Sequence, residues 1–399
     1  MISSEACREA VEGSALGESF CNLGELGYRG SAVAPPFLSP KDAAQLRANA
    51  RAEDAGNQSI ASSVELLRSR GWLADAVTIC GAGRDEGADT ELLRRGIRMY
   101  MTLAEANLSI ARLYEGHVNA LRLVLDHADK PLALATIKSA CDGALLGVWG
   151  ADAGEPVALA SDTRHLVGQK RFASGLGVVS QAVVTARNGD SVQLCLVDVR
   201  DQTPADPGTW CMSGMRATAS GTYDFSLCQA VAIQPFGAPD CFHKEPTLFG
   251  GVWRIAAIQL GGIYGLLEAA RAQLASLDRL DDLAQIARLT PLVYRAEAAA
   301  HLVEAAALYA EGPGGIDSPE RAVAQSVFAR LLTEALAQDT IAVVERSIGL
   351  AHFDTIADTG RMARDLATYI RQVAPDGLLQ RSGREVLLST DSLRELFRA

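Results

Sequence analysis

Hydrophobic periodicity changes twice along this chain of 399 residues, from helical spacing to strand-like alternation and back. Between residues 90 and 128, apolar side chains recur at helical spacing, as they do on one face of a helix. Between 144 and 235, short apolar runs alternate with turn sequences such as Asn188-Gly189-Asp190. Long alanine-rich amphipathic segments return after 247. This order predicts separate helical and β units and argues against a repeating βαβ plan.

The individual elements follow from the same periodicity and from the turn residues between them. Strands are predicted at 144–149, 178–185, 192–199 and 224–232, and they favour a small antiparallel barrel or sandwich. Long C-terminal helices are predicted at 253–276, 281–310, 319–349 and 360–371. The glycine-rich break at 311–315 separates two of these helices, as an antiparallel bundle requires. Ser39 followed by Pro40 predicts the start of an earlier helix.

We therefore expect an α+β fold that is mostly helical. Residues 1–140 are expected to form an N-terminal helical domain, 141–240 a central small antiparallel β-barrel, and 241–399 a C-terminal four-helix bundle. Stretches of the bundle such as 255–267 and 302–310 are apolar on more than one face, so they have to be buried on several sides. We expect a homodimer or a homotetramer that assembles through this bundle.

Charge and composition restrict the partners and the location of the protein. The formal net charge of −11 is opposite in sign to the basic surfaces that bind nucleic acid or anionic membranes. No uncharged apolar run reaches the roughly 18 residues of a membrane span, and no signal sequence is evident. The eight cysteines form no CxxC pair and have no zinc-ligand spacing. We expect a cytoplasmic protein with reduced thiols and no metal.

Four segments carry a distinctive order of residue types. They are VGQKRFASGLG at 167–177, with a following strand that ends in TAR at 185–187; MSGMRATASGTYDF at 212–225; the helix at 253–271; and the stretch 347–381 with its RD and QR pairs. The helix contains Gly261, Gly262 and Gly265, and a glycine costs a helix roughly 1 kcal/mol relative to alanine. Close approach of a neighbouring helix is expected there. Together the four segments resemble the acyl-CoA dehydrogenase superfamily of flavoproteins.

The resemblance implies a bound flavin, FAD in the first place, with FMN as the alternative. It places Phe172 against the isoalloxazine ring and Ser174 at the N5 edge, with Ala173 between them. A flat apolar ring favours an aromatic contact, and a hydrogen-bond donor at N5 stabilises the reduced flavin. The turn that contains Trp149 and Gly150 corresponds to one that lies beside the flavin in the family.

The catalytic base of the family does not carry over directly. The glutamate that removes the substrate α-proton corresponds to Ala374, and the nearest carboxylate is Asp376. A thioester α-proton is weakly acidic, so desaturation requires a positioned base. Asp376 is therefore one candidate, and His117 and His352 are the other two. Alternatively, Asp376 caps a helix at 377–387 and both histidines are structural.

Three functions remain open on these grounds. The first is a flavin-dependent oxidoreductase that acts on an acyl thioester or a similar activated acyl group, linked to CoA or to a carrier. The second is a monooxygenase of the same fold that uses reduced flavin and oxygen. The third is a non-catalytic descendant that binds an acyl carrier or a partner protein. The usual arginine pattern that holds FAD across the dimer is missing, and Gln285 and Gly349 are the further candidates for cofactor contacts.

Overall fold

A computed structural model describes residues 38–81, 90–160, 165–228 and 233–396 of the chain. The first helices are α1 (Pro40–Asp54), α2 (Ala61–Ser69), α3 (Trp72–Gly81), α4 (Thr90–Ala106), α5 (Leu108–His127) and α6 (Lys130–Cys141). The strands are β1 (Leu146–Trp149), β2 (Ala158–Leu159), β3 (Leu166–Val167), β4 (Gln169–Ala173), β5 (Gln181–Asn188), β6 (Ser191–Asp198), β7 (Ala205–Asp206), β8 (Gly221–Asp224) and β9 (Ile233–Phe236). The last helices are α7 (Trp253–Ser276), α8 (Leu283–Glu311), α9 (Pro313–Asp317), α10 (Pro319–Ile348), α11 (Asp358–Tyr369) and α12 (Pro375–Leu388). The predicted order of helices, strands and helices is confirmed.

Polar caps define where the N-terminal helices begin. The Ser39 hydroxyl accepts a hydrogen bond from the Asp42 backbone N–H at 3.1 Å, which confirms the predicted start of α1. Asn107 caps α5, so the helical stretch at 90–128 consists of two helices. Asp129 caps α6, a helix that the periodicity did not predict. Pro131 lies in the first turn of α6, where its missing N–H has no helical partner to lose.

The strands form two sheets. The larger has the order β3-β2-β5-β6-β9, with β1 also paired to β5, and the smaller has the order β4-β8-β7. Strands β5 and β6 form a hairpin around the predicted turn, with Asn188 opposite Ser191. The expectation of a wholly antiparallel arrangement is wrong, because β1 and β2 run parallel to β5. Parallel pairing needs a long crossover connection, and the intervening strands β3 and β4 supply it.

The C-terminal helices pack around α7, which contacts α4, α8 and α10. A Cβ atom at Gly261 would lie 2.2 Å from the Met101 carbonyl oxygen, and one at Gly265 would lie 2.6 Å from that of Glu105. The backbones of α4 and α7 therefore approach too closely for any side chain at these two positions. The close helix approach expected from the glycines is confirmed, and it joins the N-terminal helices to the bundle.

Two of the four sequence segments meet in space. A Cβ atom at Gly214 would lie 2.0 Å from the Arg364 carbonyl oxygen. The next residue, Met215, donates its backbone N–H to the Asp365 carboxylate at 2.6 Å. Burial raises the pKa of Asp365 to about 6, while the neighbouring Arg361 opposes that rise. The loop between β7 and β8 is thus fixed to α11.

Three expectations from the sequence concern membrane spans, metal ions and cysteines. No helix within the described residues is long and apolar enough to cross a membrane. Across the same residues, no group of three or more His, Cys, Asp or Glu side chains is arranged to hold a metal ion. Free thiols are present at Cys80, Cys195, Cys211, Cys228 and Cys241. The expectation of reduced thiols is wrong for Cys141, which is disulfide-bonded.

Candidate active site

Strands β1 and β4 bring together the five residues that the sequence assigns to the flavin ring. Trp149 ends β1, and its indole Nε1 donates to the Ser174 carbonyl at 3.1 Å. Phe172 and Ala173 are the last two residues of β4, directly before Ser174. Gly150 follows Trp149 in a segment that runs beside β4. We call these five residues the ring face.

A buried lysine holds the turn of the ring face in place. The Lys170 ammonium donates to the Gly150 carbonyl at 3.1 Å and to the Thr185 hydroxyl at 3.0 Å. It also forms an ion pair of 2.5 Å with the Asp152 carboxylate. Burial lowers the pKa of Lys170, and the bond to Asp152 opposes that change. Because its three acceptors surround the turn after β1, Lys170 has a structural role that the sequence did not reveal.

Phe172 combines backbone strain with an exposed aromatic ring. Its φ of 56° lies in the left-handed region, at a point where the register between β4 and β8 shifts. Such a conformation costs a residue other than glycine on the order of 1–3 kcal/mol and is retained mainly at functional sites. The ring is 45% exposed and stands edge-on to Trp210, with centroids 6.0 Å apart. An exposed aromatic side chain held in this way fits a flat ligand such as a flavin ring.

A chain of hydroxyl groups ends at Ser174. The Ser220 hydroxyl lies 2.9 Å from that of Ser174 and 2.8 Å from that of Thr218. A hydroxyl can accept one bond and donate another at the same time. When Ser174 accepts from Ser220, its own O–H, which here makes a long bond of 3.4 Å to the Phe172 carbonyl, can turn to donate to a ring nitrogen. This arrangement agrees with the N5 contact that the resemblance implies.

A cavity of about 200 Å³ opens between the helices and β1. Its wall includes Val148, which directly precedes Trp149. The helical side contributes Glu115 and Arg122 from α5 and Arg254 from α7. One residue of β1, the strand that ends at Trp149 of the ring face, therefore lines this cavity.

A buried carboxylate gathers the arginines of this cavity. Glu311, the last residue of α8, accepts from the Trp253 indole at 2.8 Å and from Arg254 Nη1 at 2.7 Å. It also forms an ion pair with Arg122. Arg254 Nε donates to the Asn119 side-chain oxygen at 2.8 Å. Burial disfavours the charge on Arg254, but the charge and hydrogen bond of Glu311, together with Tyr100 and Glu115, outweigh burial and raise the pKa of Arg254. The negative charge of Glu311 therefore allows the positively charged Arg122 and Arg254 to lie close together in one wall of the cavity.

The carboxylates near the cavity are both engaged. Glu115 bonds to Arg112 at 2.6 Å with one oxygen and to the Asn119 amide with the other. Glu311 is held by two arginines and an indole. Both carboxylates are therefore already bound by neighbouring side chains.

His117 lies in the core between α3, α5 and β1. Its Nδ1 accepts the Leu146 backbone N–H at 3.1 Å, so the proton is on Nε2, which donates to the Leu73 carbonyl at 3.0 Å. Burial lowers the pKa of His117 to about 4, although the bond to Leu73 opposes that change. A neutral ring with both nitrogens satisfied fits the structural alternative.

The other two candidate bases lie outside the cavity wall. Asp376 is exposed in the first turn of α12, and Val373 is the residue of that loop that lines the cavity. The expectation that Asp376 caps this helix is wrong, because the helix begins at Pro375 and Ala374 is its N-cap. Proline is favoured in the first turn of a helix, and this places the start of the helix earlier in the sequence than we predicted. His352 is buried in the 3₁₀ segment after α10, and burial lowers its pKa.

Gln285 and Gly349 lie together, on elements other than those of the ring face. The Gln285 amide donates to the Ser347 carbonyl at 3.2 Å, two residues before Gly349. Gly349 has a φ of 71° and begins the 3₁₀ segment. The Gln285 side-chain oxygen is buried and has no hydrogen-bond partner within the described chain. An unsatisfied buried amide of this kind fits a cofactor contact.

The residues that give the cavity its charge were not predicted from the sequence. Arg122 stands among the leucines of α5, and Arg254 follows a tryptophan in the apolar start of α7. Glu311 was assigned only to the break between two helices. A charged residue within an apolar helical face was the available signal, because charges are rarely buried unless they are paired.

The solved structures that match this chain share its fold at low sequence identity. FMN-bound TdsC from Paenibacillus sp. A11-2, a dibenzothiophene monooxygenase, is 17% identical, with a TM-score of 0.71 over 88% of this chain and 97% of that chain. KijD3 in complex with FMN and a dTDP-linked amino sugar is 16% identical, with a TM-score of 0.72 over 89% and 93%. Butyryl-CoA dehydrogenase from Megasphaera elsdenii is 18% identical, with a TM-score of 0.70 over 86% and 94%. No protein-family model and no curated protein matches the chain. The chain therefore has the fold of the acyl-CoA dehydrogenase-type flavoproteins, as its four sequence segments indicate.

Proposed function

We propose that this protein is a flavin-dependent oxidoreductase whose substrate enters the cavity beside the ring face. The observation that carries the proposal is the strained, exposed Phe172 next to the Ser174 hydroxyl. The buried Trp149 supports Ser174 through its indole N–H, and Val148, one residue before Trp149, lines the cavity. A bound flavin would supply the redox chemistry, because it takes up a hydride or, when reduced, reacts with oxygen.

The ring face would hold the isoalloxazine ring, with the exposed Phe172 against it, the Ser174 hydroxyl at one edge and the buried Ala173 between these two residues. Gln285 and Gly349 would hold the remainder of the cofactor. FAD and FMN both fit this proposal. FMN is the flavin described for TdsC and KijD3. The choice between the two flavins depends on whether an adenosine half is bound near Gln285.

Two reactions compete, and the cavity favours oxygenation. Desaturation of an acyl thioester needs a free base at the α-carbon. Glu115 and Glu311 are both ion-paired, and Asp376 does not line the cavity. Oxygenation by reduced flavin does not require that base. The names of two relatives in fold, a dibenzothiophene monooxygenase and a nitrososynthase, agree with this choice.

Substitution of the ring face tests the flavin proposal. We expect Phe172→Ala to weaken flavin binding by roughly tenfold or more, because a buried aromatic contact contributes about 1–3 kcal/mol. Leu393→Ala, at a position that is 58% exposed near the end of the described chain, is the control and should leave flavin binding unchanged. Equal flavin affinity in both variants would remove Phe172 from the site.

A pair of assays separates the two reactions. For desaturation, anaerobic addition of butyryl-CoA should bleach the oxidised flavin. For oxygenation, incubation with reduced FMN, indole and oxygen-18 should yield an oxygen-labelled product. Labelled product without bleaching is the result we expect. A protein that binds ligands but accepts no electrons in either assay would support the third function, a non-catalytic descendant.

The proposal also covers the oligomeric state, the domain division and the location of the protein. The bundle exposes apolar side chains along α8, with Leu283 83%, Val293 52% and Tyr294 61% exposed. Contiguous exposed apolar surface of this kind marks an interface. We therefore retain the homodimer or homotetramer. The three domains 1–140, 141–240 and 241–399 and the cytoplasmic location stay predictions from the sequence. A stable monomer in sedimentation at micromolar concentration would contradict the assembly.

A further inference from the structure

One nitrogen of a buried arginine faces the cavity without a partner. Arg254 is 5% exposed, its Nε donates to Asn119, and its Nη1 donates to Glu311. Its Nη2 makes no hydrogen bond within the described residues. A guanidinium N–H that reaches a cavity and has no acceptor in the protein can donate to an acceptor that enters the cavity, and a charge-assisted bond of this kind is a strong one.

The absence of a side chain at residue 251 keeps Nη2 accessible. Gly251 lines the cavity, and a Cβ atom there would lie 2.3 Å from Nη2 of Arg254. The φ of Gly251 is not in the left-handed region, so the backbone itself does not require glycine. A side chain at this position would instead fill the space in front of the Arg254 guanidinium.

The charges around the cavity do not cancel. Three arginines, Arg112, Arg122 and Arg254, are paired with two carboxylates, Glu115 and Glu311. Three positive and two negative charges leave one positive charge. The charged residues in the cavity wall itself are Glu115, Arg122 and Arg254. In a site that excludes water, a surplus of one charge attracts an ion of opposite sign more strongly than it would in solvent.

The rest of the wall is mostly apolar. Leu123, Val148, Phe242 and Ile255 contribute hydrocarbon surface to the same cavity. A ligand that matches both the surplus positive charge and the apolar wall has a short apolar body and one anionic oxygen group. A planar carboxylate matches a guanidinium better than other anions of this size, because two N–H groups can donate to two oxygens.

We infer that the cavity binds a small organic carboxylate, with its carboxylate on Arg254 and Arg122 and its apolar body toward β1. This assignment rests on the proposed function only in calling the carboxylate a substrate. The binding site itself requires no flavin. Glu311 positions both arginines and does not contact the ligand in this arrangement.

Calorimetric titration of the flavin-free protein in chloride-free buffer tests the inference. The probes are butyrate and butyramide, which have nearly the same shape and differ in charge. We expect butyrate to bind at least tenfold more tightly than butyramide, because a charge-assisted bond is about twice as strong as a neutral one. Equal affinities, or no binding of butyrate, would overturn the inference.

Two variants locate the site. Gly251→Ala should displace the guanidinium, which is the flexible end of a side chain, and weaken butyrate binding roughly tenfold without loss of thermal stability. Arg254→Lys keeps the charge but cannot reach Asn119 and a ligand together, so it should also weaken butyrate binding. Arg271→Gln, at an arginine that is 67% exposed on α7, is the control. Unchanged butyrate affinity in a folded Gly251→Ala protein would refute the assignment. Butyrate binding in a protein that binds no flavin would refute the proposed function alone.

Discussion

Replacement of His117 by glutamine is expected to remove one pH-dependent part of the stability and to keep the fold. In the native chain, Nδ1 accepts from Leu146 and Nε2 donates to Leu73, at 3.1 and 3.0 Å. A glutamine amide can also accept one bond and donate another, but it does not titrate between pH 4 and pH 7. The substitution therefore keeps the two hydrogen bonds and removes the group that takes up a proton.

The magnitude follows from the pKa of His117, which burial lowers from 6.5 to about 4. Because the unfolded chain takes up the proton first, the stability from neutral burial is complete above about pH 6.5 and is lost as the pH falls toward 4. Each unit between the two pKa values is worth about 1.4 kcal/mol. The loss at pH 4 is then roughly 3 kcal/mol, a large fraction of a typical free energy of unfolding.

Urea unfolding followed by circular dichroism at several pH values between 7.5 and 4.5 measures this loss. The quantity of interest is the difference in unfolding free energy between the native protein and His117→Gln. Asp365, whose pKa is raised to about 6, changes stability with pH in the opposite sense, but it does so in both proteins. We expect the native protein to lose stability relative to the variant as the pH falls. Two parallel curves would show that His117 is not a buried neutral residue.

Four further substitutions test other parts of the structure. Gly261→Ala should lower the unfolding free energy by about 1–3 kcal/mol through overpacking against α4, whereas Gly383→Ala, which meets no atom within 4 Å in α12, should raise it by up to about 1 kcal/mol. Lys170→Met should remove the three contacts that hold the turn of the ring face, with a loss of about 2 kcal/mol or more in urea unfolding and weaker flavin binding. Asp376→Asn should leave both the melting temperature and the yield of oxygen-labelled product unchanged, and a tenfold lower yield in a stable variant would restore Asp376 as a base.

Features encoded locally were predictable from the sequence. The helix at 253–276 has the predicted bounds, because its periodicity is long and uninterrupted. The hairpin at 181–198 follows from a turn sequence between two apolar runs. The assignment of Phe172 and Ser174 came from the resemblance, and the structure adds the strain at Phe172 and the hydroxyl chain at Ser174.

Features that depend on distant parts of the chain were not predictable. Arg122, Arg254 and Glu311 come from three different helices, and only the packing of those helices places their charges together. The parallel pairing of β1 with β5 depends in the same way on the path of the chain between them. A single sequence contains no local pattern for either arrangement. The start of α12 was misjudged for a smaller reason, since Pro375 favoured an earlier first turn than Asp376 alone suggested.

The central claim is that the ring face binds a flavin. Anaerobic titration of the flavin-free protein with FMN and FAD, each in oxidised and reduced form, tests this claim directly. We predict that at least one of the four species binds with one molecule per chain, and that Phe172→Ala weakens that binding. If none of them binds to a protein whose helical circular dichroism is intact, the account of this site is wrong.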